Sequence, residues 1–212
     1  FEIIVVNDGS KDNTLQVVRE ILNGSGFPFK IVDQVNRGVS VARNVGMENS
    51  VGRYIKFLDG DDRLVPNAIE TLVNAIQKCG CGLVYGGQDV AALSGKVIQR
   101  YEDMYKQEWI YANYEKAIKE FLISKVYISV NSCLIDHELI DKFGLRFVPG
   151  AKYSEDTEFI MKVIYYSNNV SYVGQSICLA TNRPNSTTKI ATLSAFHNAG
   201  SMKRLKRFFE AK

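Results

Sequence analysis

Over the first 90 residues, short apolar runs alternate with helical patterns, and that alternation limits the fold more than any other feature. Glu2 to Val6, Lys30 to Val32, Tyr54 to Leu58 and Leu83 to Tyr85 read as short apolar runs. Runs of this kind suit strands covered on both faces in a parallel sheet. Between them lie amphipathic segments. Thr14 to Leu22 sets Leu15, Val18, Ile21 and Leu22 on one side and stops at Gly24-Ser25-Gly26. Val39 to Asn49 carries a weaker helical pattern. Pro66 to Cys79 begins with a first-turn proline, puts Ile69, Leu72, Val73 and Ile76 on one face and ends at Gly80. This order predicts an α/β fold, a Rossmann-type and mostly parallel sheet flanked by helices and joined by right-handed crossovers.

The second half is less regular. Ala91 to Trp109 is polar and aromatic without a clean period, and is expected to lie outside the sheet. Tyr114 to Ser124 reads as helix. Ser154 is expected to cap an amphipathic helix from Glu155 to Tyr166, with Phe159, Ile160, Val163 and Ile164 facing inward. Val170 to Val173 and Ile177 to Ala180 read as two short strands, and 193–212 as a basic helical tail. With no linker, repeat or low-complexity tract, 1–212 is expected to form one domain.

Composition removes several classes. At 46% hydrophobic and 23% charged residues, the chain is neither disordered nor collagen-like. Lys plus Arg total 26 against 23 acidic residues, so the net charge of +3 gives no electrostatic case for a nucleic-acid partner. No apolar run approaches the ~20 residues that cross a bilayer. Cys79, Cys81, Cys133 and Cys178 lack the C-x-x-C pairing of a zinc site and are read as reduced thiols of a cytoplasmic protein. The chain opens directly on an expected strand, without an initiator Met, and no signal peptide is visible in it.

In open α/β sheets, ligands bind beyond the carboxyl ends of the strands. The first strand here ends in Asn7-Asp8-Gly9-Ser10, the second is followed by Asn36-Arg37-Gly38, and the third ends in Asp59-Gly60-Asp61-Asp62. Three carboxylates within four residues repel one another unless a cation neutralises them. Mg²⁺ or Mn²⁺ suits such a turn, taking one or two carboxylates plus substrate phosphates. The other reading is an acidic turn that caps the following helix. Asp8 is either a turn aspartate or an acceptor for a base N–H or ribose hydroxyl. Arg43 is either a solvated helix residue or a donor to a base or phosphate. Glu155 and Asp156 either meet the dipole of their helix or supply a general base.

Taken together, these residues resemble the inverting, GT-A-fold glycosyltransferases of family 2. The resemblance is carried by four stretches in order over roughly residues 1–160. They are Ile4-Val5-Val6-Asn7-Asp8-Gly9-Ser10-Lys11-Asp12-Asn13-Thr14, Asn36-x-Gly38-x-x-x-Ala42-Arg43-Asn44-x-Gly46, Tyr54-Ile55-Lys56-Phe57-Leu58-Asp59-Gly60-Asp61-Asp62 and Ser154-Glu155-Asp156-Thr157-Glu158-Phe159. The resemblance implies a GT-A-like fold whose usual first strand and helix, with a Pro-x-Tyr-Asn-like segment, would precede Phe1. It implies that Asp8 reads the nucleotide base, with Arg43 assisting there or nearby. Asp59 and Asp61 would form a D-x-D pair on Mn²⁺ or Mg²⁺ and the donor, with Asp62 as a helper. Asp156 would be the catalytic base beside Glu155. Arg183, Asn185 and Ser186 resemble a later segment that contacts the diphosphate or closes over it.

The implied activity is transfer of one sugar, with inversion, from a nucleotide-diphosphate sugar to an acceptor hydroxyl in polysaccharide or glycan biosynthesis. A UDP-sugar is the expected donor and a glycan or lipid-linked sugar the expected acceptor. The Gln-x-x-Arg-Trp signature of processive synthases is absent, and the one tryptophan, Trp109, precedes Glu155. Lys203, Arg204, Lys206 and Arg207 read as a solvated face, or as a contact to the inner face of an anionic membrane. The rival readings are an inactive nucleotide-sugar-binding protein and a sugar nucleotidyltransferase, whose early Gly-rich basic loop has no counterpart here.

Overall fold

The computed structural model describes residues 1–151, 153–183 and 195–212. β1 (Ile3–Asp8) leads through α1 (Thr14–Asn23) to β2 (Phe29–Gln34), and α2 (Val39–Glu48) follows. The first two strands pair in parallel, Ile3 opposite Phe29 through Asp8 opposite Gln34. β3 (Tyr54–Ile55), β4 (Arg63–Leu64) and α3 (Ala68–Cys79) lead to the long β5 (Leu83–Ala91). β6 (Val97–Gln99), α4 (Tyr101–Met104), β7 (Tyr111–Asn113) and α5 (Tyr114–Leu122) come next. A 3-10 turn at Val130–Ser132 then runs into β8 (Cys133–Asp136), α6 (His137–Lys142), α7 (Glu155–Ser167), β9 (Asn169–Thr181) and α8 (Ala195–Glu210).

The second sheet has the order β3-β8-β5-β9-β4, with β6 on β5 and β7 on β9. Its centre is the parallel pair β5–β9, from Leu83 opposite Val170 to Ala91 opposite Thr181. The strands added at its edges run antiparallel to their neighbours. Two long parallel pairs, β1–β2 and β5–β9, therefore form the frame of the expected α/β fold.

Four local expectations are revised. The segment Ala91 to Trp109 does not leave the sheet: β5 extends to Ala91, β6 pairs with it, and Tyr101 and Trp109 are buried. Their polar ends are satisfied, Tyr101 donating to the Tyr127 carbonyl at 2.9 Å and Trp109 Nε1 to Glu120 at 2.6 Å, which lets the rings enter the core. The two strands read at 170–180 are one, β9, which bends at Gly174 with φ 76°. Ser154 adopts a left-handed conformation and makes no side-chain cap bond, so α7 begins instead on its acidic first turn of Glu155, Asp156 and Glu158. Cys79 and Cys81 pair with each other across left-handed Gly80, while Cys133 and Cys178 are free and buried.

The main core gathers β5, β8, α5 and α7, with Phe159, Ile160, Val163 and Ile164 inside as their spacing predicts. A smaller core lies under α3. α8 docks onto α7 through buried Leu205 and through Arg204, which bonds the buried Glu158 at 2.8 Å and 2.7 Å. Lys203, Lys206 and Arg207 face outward from this helix. Among the described residues, no helix is long and apolar enough to cross a membrane.

Candidate active site

The chain beyond β3 delivers the acidic turn past the end of the sheet, and Asp62 N–H closes it onto the Asp59 carbonyl at 3.0 Å. Phe57, just before the turn, stands edge-on to Phe147 at 5.3 Å and to Phe159 of α7 at 6.0 Å. Phe147 and Phe159 stack at 4.0 Å. This trio packs the acidic turn against the first turns of α7. Asn44 of α2 fixes the same place, donating to the Phe147 carbonyl and accepting from its N–H, both at 2.9 Å.

Arg43 joins the two acidic groups. Its Nη2 donates to both Asp59 oxygens at 2.9 and 3.1 Å, and its Nη1 lies 3.5 Å from Glu155. Its guanidinium sits over the Phe147 ring at 5.3 Å. Burial pushes the Glu155 carboxyl up, and the neighbouring Asp156 charge adds to this while Arg43 draws it back. Asp156 accepts from the Thr157 N–H at 2.7 Å.

The three aspartates of the turn differ. Asp62 is the anchor: it accepts from Asn131 Nδ2 at 2.8 Å and from the Thr181 N–H at 3.0 Å, with Gln88 at 3.4 Å. Burial raises its pKa; the Thr181 amide lowers it, and Asp61 and Asp59 raise it again. Asp61 faces Arg183 Nε at 3.3 Å, and its carbonyl accepts from the Thr181 hydroxyl. Asp59 and Asp61 are about 40% exposed, at 40% and 39%.

Asp8 lies at the end of β1 and orders the loop after β2. It accepts from Gln34 at 2.7 Å and from the N–H groups of Arg37 and Gly38 at 2.8 Å. Burial pushes its carboxyl up, but these bonds more than offset that and leave it below the usual range. Three bonds leave one of the roughly four acceptor positions of a carboxylate for a ligand.

The structure thus brings Arg43, Asp59, Asp61, Glu155, Asp156 and Arg183 to one region, with Asp8 holding the 34–38 loop. Asn185 and Ser186 lie outside the described residues. Arg43 reaches the acidic turn and α7, not the Asp8 end. Sequence reasoning missed Asn131, Thr181 and Lys56. Only Lys56 carried a signal, as the single charge inside the apolar Tyr54 to Leu58 run.

The donor set of the acidic turn fits a hard divalent cation. It offers carboxylate oxygens that remain partly exposed. Among the described residues no group of three or more His, Cys, Asp or Glu is placed to hold a metal ion by itself. Such an ion would be completed by phosphate oxygens and water.

Residues 1–144 match the family model of glycosyl transferase family 2, and the chain belongs to that family. It is 31% identical over 210 residues to the glycosyltransferase GlyA of Streptococcus pneumoniae, covering 93% of this chain and 28% of GlyA. It is 25% identical to the uncharacterised glycosyltransferase EpsJ of Bacillus subtilis, covering 90% of this chain and 55% of EpsJ. The fold is shared with residues 1–349 of S. aureus TarS, crystallised with UDP-GlcNAc, at a TM-score of 0.73 and 20% identity over 93% of this chain and 57% of that one. The chain therefore spans about half the length of EpsJ and of the TarS fragment.

Proposed function

We propose that this protein transfers a single sugar from a nucleotide-diphosphate sugar, a UDP-sugar, to an acceptor hydroxyl with inversion, in polysaccharide or glycan synthesis. The observation that carries the reading is Arg43. It bonds the Asp59 end of the acidic turn and also reaches Glu155, 112 residues beyond Arg43, and so would set the donor diphosphate beside a pair of carboxylates. The UDP-GlcNAc complex of the structurally similar TarS supports the donor class.

In this reading the base lies at the Asp8 end, where the free acceptor position of that carboxylate takes a base N–H. Asp61 and Asp59 hold Mn²⁺ or Mg²⁺, and that ion, when bound, offsets the charge of the donor diphosphate. Arg183 adds a positive charge on the same side. Asp156 takes the proton of the acceptor hydroxyl. The hydroxyl oxygen forms a bond to the anomeric carbon from the face opposite the diphosphate, and the bond to the diphosphate oxygen breaks with its electron pair. The half-buried Glu155 beside it helps keep Arg43 in place.

The test is calorimetric titration of UDP into the full-length protein with and without Mn²⁺, for wild type and Asp61→Ala. Metal-dependent binding that the substitution removes is the expected result. Silence of the wild type toward UDP, guanosine and thymidine diphosphates overturns the reading. Metal-dependent binding without loss of any UDP-sugar across acceptors identifies a binding protein instead.

A further inference from the structure

The acidic turn has a partner from a distant part of the chain that no motif contains. We propose that Asn131 is a positioning residue for the donor end of this site, a neutral clamp that fixes Asp59 and Asp62 so that Asp59 and Asp61 can receive the cation. The proposal rests on the donor-site reading above.

The two hydrogens of one amide nitrogen are divided between two carboxylates. Asn131 Nδ2 donates to Asp59 at 2.9 Å and to Asp62 at 2.8 Å. A neutral donor holds the two anions side by side and adds no further positive charge to that of Arg43, which already pairs with Asp59. Asn131 is itself 4% exposed and well fixed. Its N–H bonds the Ser129 hydroxyl at 3.2 Å. Its backbone carbonyl accepts from Lys56, whose ammonium also bonds the Phe57 carbonyl at 2.7 Å. Lys56 thus ties the strand entering the acidic turn to the loop that supplies the clamp.

The amide has only one useful orientation. Turned over, its oxygen would meet two carboxylates, lone pair against lone pair. In the orientation seen, Asn131 Oδ1 is buried with no partner among the described residues. An unpaired buried acceptor costs stability, so this arrangement serves the two aspartates at the expense of the amide. Arg43 Nε is also buried without a partner among the described residues, while the same guanidinium holds Asp59 from the other side. Asp59 is thus gripped by one charged and one neutral donor, each of which leaves a polar atom unsatisfied.

The experiment is calorimetry of the full-length protein with UDP and Mn²⁺, comparing wild type, Asn131→Ala and Asn131→Ser. The quantity read is the Mn²⁺ concentration that half-saturates the metal-dependent gain in UDP binding. Asn131→Ala is expected to raise it about tenfold or more. Asn131→Ser keeps one donor, should fall between, and carries the comparison if the alanine variant does not fold. UDP affinity without metal should stay within about twofold, because Asp8 is untouched. An unchanged Mn²⁺ requirement, or equal losses with and without metal, overturns the clamp and leaves the donor site standing. A wild type that binds no nucleoside diphosphate, or binds it without regard to Mn²⁺, overturns the clamp together with the donor-site or metal assignment.

Discussion

Glu155 shows how the fold sets the charge of a single side chain. Burial and the adjacent Asp156 raise its carboxyl above the ordinary value of 4.5, so the native state binds this proton more readily than the unfolded chain. Below the unfolded value both states are protonated and the residue is neutral to stability. As pH rises through the raised native value, stability is lost. Glu155→Gln removes that loss. Its melting temperature should exceed that of wild type near pH 8, with the gap closing toward about pH 4. A gap of equal size at both pH values would show that the ionised carboxylate is not its source. The same residue scale bears on what the sequence discloses. Asp8, Asp59, Asp61, Glu155 and Asp156 are legible because each stands at the end of an apolar run or the start of a periodic one. Asn131 and Thr181 are not, since their value depends on which strands become neighbours, and a local pattern does not encode that.

Between elements, close approach and buried charge decide the packing. Gly86 of β5 lies so near β9 that an added Cβ would overlap Ile177 Cγ1 and stand 2.8 Å from the Gln175 carbonyl. Gly86→Ala should therefore cost about 3 kcal/mol, read as a fall in denaturation midpoint; a loss under about 0.5 kcal/mol would show that the strands part easily. The contact of α8 with α7 is electrostatic as well as apolar. Glu158 is held by Arg204 and by Lys162 at 2.7 Å. Since Arg204 is about a third exposed, at 36%, and Lys162 remains, Arg204→Met should cost about 2 kcal/mol. Adding Glu158→Gln should recover part of that loss, which a thermal-denaturation double-mutant cycle would measure. At this scale the sequence located every helix of the first 90 residues within about two positions. It misread 91–109, where aromatic residues packed into the core have no period to reveal them.

Across the whole molecule, packing is uneven. Both apolar cores begin at Met47 or later, and β1, α1 and β2 contribute no member to either. Backbone amides of β1 and β2 should accordingly exchange with deuterium faster than those of β5 and β9; equal protection would mean that the first two strands open only with global unfolding. The overall α/β class was legible in the spacing of the early runs, whereas the sheet order was not, because β8 and β9 enter it from far along the chain. That order also sets a sequence of events. The acidic turn is bound by Asn131 about 70 residues later and by Thr181 about 120 residues later, at separations of 69 and 119 from Asp62. Closing such long loops is slow and is rewarded only once both ends are ordered. The turn is therefore expected to acquire its native shape late in folding, after β9 has joined β5. Substitutions at Asp62 or Thr181 should then speed unfolding and leave the folding rate nearly untouched.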